Sequence, residues 1–516
     1  MKNTFYISFF CLCFFITTQA QVPEDVIRLG WYHNQGSARY MATGGVMGSL
    51  GGDITATFVN PAGLGLFKTR EFVFSPALLQ HNSRSTYRDS LTDSKHRSYA
   101  QGPIGWIIGM PGFIQKDIHT TVSIAFNQNA SFNNRIQYAG TNNFSSFSEQ
   151  FAEEFANSGY SIGSVLNSNS PMPYTAAPAL NTYLIDTVRI NGLLQVKAAP
   201  EYLLDAGGSV RQDMNRVQTG GLYELGFALA TNVREKWLYG ATLGIPIIRY
   251  QNKSTFRETD ATGDTANRFE SFTYTDDFRT TGSGVQMKLG VIYRPADYIR
   301  LGFAFHTPGV HILKDTRSTT LETRLENPVK TFYETSATFT NGQPGESEYS
   351  YTSPWKAMIS ASYVFRETED VRRQRAFISA DLEYVRHQAS RFQSANEAPT
   401  AEEKAYFRAL NQVIKNEYKG GVNVRIGGEL KFNVIMGRLG FAYNSNPYRD
   451  AAFKANRLLF SGGIGYRNKG IFIDLTYVHS IIRNVDLPYR LENRANTFAN
   501  LRQNIGTISG TLGFKF

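Results

Sequence analysis

Eight histidines and two cysteines are the sharpest chemical tools in this 516-residue chain. The histidines (33, 81, 96, 119, 306, 311, 387 and 479) are scattered. No GxSxG elbow accompanies them to raise a serine nucleophile, and no HExxH helix presents two imidazoles to zinc. His306 and His311 lie close in sequence, but five residues apart on a strand they face opposite sides, so they do not read as a haem or metal pair. A lone strand histidine is more simply a hydrogen-bonded interior residue. Cys11 and Cys13 fall in the first twenty residues, so the rest of the chain has no disulfide, thiolate metal site or cysteine nucleophile. A barrel enzyme such as a lipase or protease therefore lacks its constellation, and we expect no catalytic residues, metal or cofactor.

The residues present in quantity suit apolar binding instead. There are 37 Phe and 28 Tyr, yet the mean hydropathy is only −0.30. Phe147, Phe151 and Phe155 recur at four-residue spacing around a short helix at 148–155. Tyr406, Leu410, Val413 and Ile414 form the apolar stripe of an amphipathic helix over 401–418. The plain reading is two helices packed on a rim. The sharper one makes Phe147, Phe151, Phe155, Tyr406, Leu410 and Ile414 a landing surface for an apolar ligand.

The elements that carry these helices alternate with period two. In the terminal stretch Gly506 to Phe516, Ile508, Gly510, Leu512, Phe514 and Phe516 share one face, and Thr507, Ser509, Thr511, Gly513 and Lys515 the other. A strand with two unlike faces borders two solvents, as a transmembrane barrel wall does. Comparable runs occur at 71–81, 99–108, 119–129, 222–233, 237–250, 282–294, 299–307, 355–366, 375–387, 420–432, 434–444, 458–467 and 470–479. With 505–516 they make about 14 strands. Asp381, Glu383 and Asp474 fall opposite the apolar sets and should face a lumen. Links of 109–118, 234–236, 295–298, 367–374, 433 and 468–469 are short. Those of 82–98, 130–221, 251–281, 308–354, 388–419, 445–457 and 480–504 are long. Strict alternation of short and long links is what an antiparallel barrel produces, with turns at one end and loops at the other.

Lys2, the apolar run Phe5 to Ile16 and the small residues up to Ala20 predict an export signal over 1–20. Beyond it no run of ~18 apolar residues could form a spanning helix. The net charge of +10 falls to +9 without Lys2, and the tightest basic cluster, Arg372, Arg373 and Arg375, reads as a solvated turn. No nucleic-acid partner is expected. The expected organisation is a signal over 1–20, an internal plug over 21–70 and an all-β transmembrane antiparallel barrel with long extracellular loops over 71–516. For the plug, the Gly- and Ala-rich stretch Gly36 to Gly65 allows close backbone approach, and Asn60-Pro61-Ala62 has the form of a capped turn.

SARYMATGGV at 37–46, Asp53 and NPAGL at 60–64 precede the strands. Tyr293-Arg294-Pro295, LGFAFHTP at 301–308, Ser353-Pro354-Trp355, AFISADLEYVRH at 376–387, NVRIGGEL at 423–430 and RLGFAYNSNPY at 438–448 follow in order. Together these resemble the FadL-type outer-membrane transporters of long-chain fatty acids and other hydrophobic compounds. The resemblance implies a 14-stranded barrel blocked by an amino-terminal hatch, with Asn60, Pro61 and Ala62 in the hatch motif. It implies capture of a hydrophobic small molecule among the loops, passive gated diffusion, and sideways exit at an inward kink in an early strand. The matching strand, 119–129, carries no proline or glycine to force a kink. It also implies a monomer in bacterial outer-membrane lipid, with Phe516 as the address read by the barrel-assembly machinery. A haem-binding receptor, and a porin or adhesin without apolar cargo, are the alternative readings.

Overall fold

The computed structural model describes residues 24–32, 35–115, 117–190, 193–326, 329–365, 375–450 and 455–516. Residues 1–20, expected to be an export signal and holding both cysteines, and Arg372 and Arg373, expected in a solvated turn, lie outside the described residues.

Among the described residues, fourteen antiparallel strands close into one cylinder. They are β1 (Arg70–Tyr87), β2 (Ser90–Gln115), β3 (Ile118–Ser131), β4 (Val210–Val233), β5 (Trp237–Asp260), β6 (Ser271–Ala296) and β7 (Ile299–His306). The circuit continues through β8 (Lys356–Phe365), β9 (Ala376–Arg386), β10 (Gly420–Phe432), β11 (Ile435–Asn444), β12 (Arg457–Asn468), β13 (Ile471–Asp486) and β14 (Ala499–Lys515). Each strand pairs with the next, and β14 returns to β1 in the register Glu71↔Lys515 to Thr86↔Asn500. Every expected strand is found. Closure satisfies the backbone within the wall itself, apart from a stretch between the upper parts of β2 and β3.

The period-two pattern sorts as its chemistry requires. Ile508, Leu512 and Phe514 point outward and are exposed, while Thr507, Ser509 and Thr511 are buried inside. Leu301, Phe303, Ile378, Leu382, Ile473 and Leu475 extend the outer apolar band. Asp381, Glu383 and Asp474 are buried on the inner side. Aromatics edge the band at both ends: Trp237 stacks on Tyr293 near the short turns, and Trp355 meets Phe305 and Tyr384 at the other rim.

The turns at one end are tight, with Arg234, Glu235, Asn433, Lys469 and Gly470 at positive φ. That backbone twist matches the flanking strands. At the other end, the links expected as loops over 82–98 and 251–281 are largely strand. β1 and β2 pair out to a turn at Arg88 and Asp89, and β5 and β6 run on together to Thr259↔Ser271. Their upper halves face protein or water rather than lipid, so the alternation fades into Ser83-Arg84-Ser85-Thr86 although the strand continues.

The upper ends support a loop layer that includes helices Glu149–Ser158 and Ala401–Glu417 and the strand Val310–Glu326, which pairs with the top of β6. Residues 36–67 lie inside the cylinder as a short helix, Ala38–Ala42, and two 3-10 helices, Ile54–Phe58 and Pro61–Leu66. Each has a polar cap: Ser37 accepts from the Tyr40 amide, Asp53 from Thr55 and Asn60 from Ala62. Residues 24–31 lie in the loop layer, as the helix Asp25–Gly30 and Trp31, packed among its aromatic side chains.

Candidate functional site

Three zones lie along the axis of the cylinder. The lowest is the seat of the internal segment. Asn60 is fully buried, and its carboxamide accepts the Ala62 amide at 3.1 Å while donating to the Gly48 carbonyl at 2.5 Å and the Phe303 carbonyl at 3.3 Å. One side chain thus caps a turn, ties two hatch segments and reaches β7. Pro61 and Ala62 pack against β5, where a Cβ on Gly240 would stand 2.3 Å from the Pro61 carbonyl carbon.

The same close approach recurs around the wall. A Cβ on Gly302 would come 2.1 Å from the Gly48 oxygen, one on Gly427 2.0 Å from the Thr43 oxygen, and one on Gly440 2.0 Å from the Gly44 nitrogen. Wall glycines therefore let the backbone of 43–48 lie directly on the sheet. Polar side chains then fasten it. Asp381 accepts from the Met47 and Gly48 amides at 2.9 and 3.0 Å, and Ser49 Oγ lies within hydrogen-bond distance of Ser360 and Ser362. Arg300 donates to the Leu50 carbonyl at 2.7 Å, and His306 donates to that of Val59 at 2.8 Å. His306 is thus an interior histidine held by hydrogen bonding.

The middle zone is a break in the wall. β2 and β3 pair from Gln115↔Ile118 only up to Ile104↔Phe126, although β2 begins at Ser90 and β3 runs on to Ser131. Above that point Asn129 bulges out of the β3–β4 ladder, which shifts register between Gln128 and Ala130. The strand 119–129, which has no proline or glycine, is thus irregular at its upper end. The irregularity needs neither proline nor glycine within β3, because an inserted residue does the work. Buried side chains hold it: Asn129 donates to Glu224 at 2.5 Å, and Glu224 pairs with Lys288. Residues 35 and 36 line the gap from inside, and a Cβ on Gly102 of β2 would stand 2.9 Å from the Gly36 oxygen. Gln35 donates its amide to the Asn129 carbonyl at 3.1 Å and accepts from Asn127 at 3.0 Å, while Gln128 accepts from the Gln101 amide at 3.0 Å.

The upper zone contains the six aromatic and aliphatic residues singled out on the loop helices. Phe147, Phe151 and Phe155 are all buried in one cluster. Phe147 stacks on Phe256 at 4.3 Å and contacts Phe151, Phe272, Tyr274 and Tyr489 edge-on or tilted. Glu258 positions it by accepting from the Ser146 hydroxyl at 2.5 Å and the Phe147 amide at 3.1 Å. Leu410 and Ile414 are buried in a second cluster, with Tyr406 packed against it. The helix that carries them starts at a Thr400–Glu403 capping box. In this conformation both groups face protein rather than solvent.

Two loop-layer carboxyls sit in surroundings that favour the proton. Burial raises Glu149 to about 7 despite its Ser146 amide bond and its Arg494 partner at 3.1 Å. Burial, and then the neighbouring Asp25, raises Asp315 to about 7. Neither carboxyl stood out in the sequence, nor did the bulge at Asn129 or the residue that covers it, Gln35. Phe516, at the opposite end of the wall, lies 5.8 Å edge-on from Trp106 and shares backbone hydrogen bonds with Arg70.

The architecture has close counterparts among solved structures. A FadL homologue from Pseudomonas aeruginosa superposes with a TM-score of 0.53 at 13% identity, over 93% of this chain and 99% of that one. The P. putida toluene transporter TodX gives 0.49 at 11% identity over 95% and 99%, and the Ralstonia pickettii toluene transporter TbuX 0.46 at 14% over 93% and 99%. No protein-family model and no curated protein matches the chain. At these identities the likeness is one of fold: a 14-stranded antiparallel barrel of the FadL type, with its amino-terminal segment inside.

Proposed function

We propose that this protein is a FadL-type channel of the bacterial outer membrane, exported by a cleaved signal, that takes up hydrophobic small molecules by passive, gated diffusion. The observation that carries this reading is the unpaired stretch between β2 and β3 above Ile104 and Phe126, lined from inside by Gln35 against β3 and Gly36 against β2. A general porin has no use for a hole in its wall. For an apolar solute such a hole is the favourable exit, since it leads from the lumen to lipid without crossing water. Asn60, Pro61 and Ala62 act as the hatch motif that sets the resting position of residues 36–67. Phe147, Phe151, Phe155, Tyr406, Leu410 and Ile414 belong to the loop surfaces where cargo is first held, and Phe516 serves as the assembly signal. A relay of such apolar sites, each weak enough to release, moves cargo without an energy source.

The test is uptake of radiolabelled naphthalene and of palmitate by outer-membrane vesicles with and without the protein. Faster uptake of at least one is expected. Equal rates for both probes would remove the transport reading.

A further inference from the structure

The groove beside the loop helix is already occupied by the chain's own amino-terminal segment. Val26, Ile27, Leu29 and Trp31 are buried there against Tyr349, Tyr351, Phe392, Phe407, Leu410 and Ile414. Arg28 lies 3.8 Å over the Tyr250 ring and pairs with Asp25 at 2.7 Å, and Arg457 lies 3.7 Å over Trp31.

This occupant is built to leave. Its helix, Asp25–Gly30, has six residues and no side-chain cap at its start. A helix that short has almost no stability of its own, so its structure is lent by the groove. It contrasts with the hatch segment below, whose three turns each carry a polar cap. A second observation marks the groove as wider in purpose than its present contents. Where the segment ends, at the turn His387–Ala389, both ring nitrogens of the buried His387 and the indole nitrogen of Trp31 have no hydrogen-bond partner among the described residues. Buried polar atoms without partners favour an occupant that can supply one.

We propose that residues 24–31 are a built-in competitor for the loop groove, displaced when an amphipathic molecule with an apolar body and one hydrogen-bonding end binds there. This rests on the transport reading above and deepens it: capture is an exchange of one apolar occupant for another. The exchange couples to the wall because Trp31 leads within five residues to Gln35 and Gly36, which lie against β3 and β2 at the gap. An occupant that lifts the segment thereby loosens the closure.

The experiment is a reversible tether. A Cβ on Gly30 would stand 3.1 Å from Pro354 Cγ, so the two side chains meet and Gly30→Cys with Pro354→Cys can join the segment to the loop layer. Heat-modifiable mobility checks that the double variant has folded. In outer-membrane vesicles, saturating palmitate should slow copper-phenanthroline cross-linking of this pair by ~10-fold, as expected when the competent state is only a fraction of the population, whereas naphthalene, with no hydrogen-bonding end, should not. Slowing by palmitate alone identifies the hydrogen-bonding end as required. An unchanged rate with both probes overturns the inference. Uptake separates the two ideas: the cross-linked channel should lose ~10-fold in rate and regain it with dithiothreitol. If cross-linked and reduced channels transport equally, the competitor idea falls and transport stands. If neither exceeds protein-free vesicles, transport falls and the cross-linking rate alone decides the competitor.

Discussion

The hatch seat and the loop layer are both buried, yet they are held in opposite ways. The hatch meets the wall through backbone, glycine and small polar side chains, as at Gly302, Gly440, Asp381 and Ser360, beside an apolar cluster that includes Met47, Phe58, Ala304 and Met358. The loop layer meets its supports through aromatic rings, with Phe147 touching five of them. Hydrogen bonds of the first kind can be exchanged for water at a net cost of only ~1 kcal/mol each. Burial of the second kind is worth ~1.5–3 kcal/mol per large side chain and has no substitute in water. The contrast is one of proportion: the plug carries many wall hydrogen bonds that water can replace, whereas the roof around Phe147 is fixed mainly by ring packing.

The largest expected effect breaks the roof. Phe147→Ala should cost about 3–5 kcal/mol of loop-layer stability and leave the barrel intact. Protease cleavage within 132–209 should accelerate while the heat-modifiable band persists, and an equal loss of both would erase the distinction. Next, Gly302→Val drives a side chain into the Gly48 carbonyl. It should unseat the hatch at ~3 kcal/mol or less, seen as raised single-channel conductance with unchanged loop proteolysis. Asn60→Ala removes a cap and two bridging bonds, for ~2 kcal/mol in the same assay. A smaller shift in conductance than that of Gly302→Val is expected.

The smallest effect is a pH slope. Glu149 and Asp315 both hold their protons up to about 7 in the folded loop layer, well above the ordinary carboxylate range. A raised acid pKa means that the folded state binds more protons than the unfolded one. The loop layer should therefore lose stability as pH rises from ~4 to ~7 and level off above. Amide hydrogen exchange over 144–158 and 310–326 should quicken across that window. Glu149→Gln and Asp315→Asn should each flatten the slope, and a steeper one in either variant would contradict the assignment.

How much of this was legible depends on which solvent each face meets. All fourteen wall strands could be read because lipid and lumen impose different side chains on alternate positions, as Ile473-Asp474-Leu475 illustrates. Once β5 rises past Tyr250 both of its faces meet protein or water, and its last ten residues looked like loop. The turn at Asn60 was readable because its cap is local. The groove over Leu410 was not, since its occupant lies almost four hundred residues earlier in the chain. The bulge at Asn129 escaped notice because an inserted residue changes register without changing composition. Its support, Glu224 on the adjacent strand, is visible only after the strands are paired.

The height of β5 and β6 has a consequence for where cargo is met. Twenty-four residues of β5 at ~3.3 Å each, tilted ~45°, rise ~55 Å, against a hydrocarbon-facing band of ~25 Å. The mouth of this protein therefore stands ~30 Å beyond the edge of the hydrocarbon-facing band. A solute entering there meets the opening well above the lipid tails rather than at their surface.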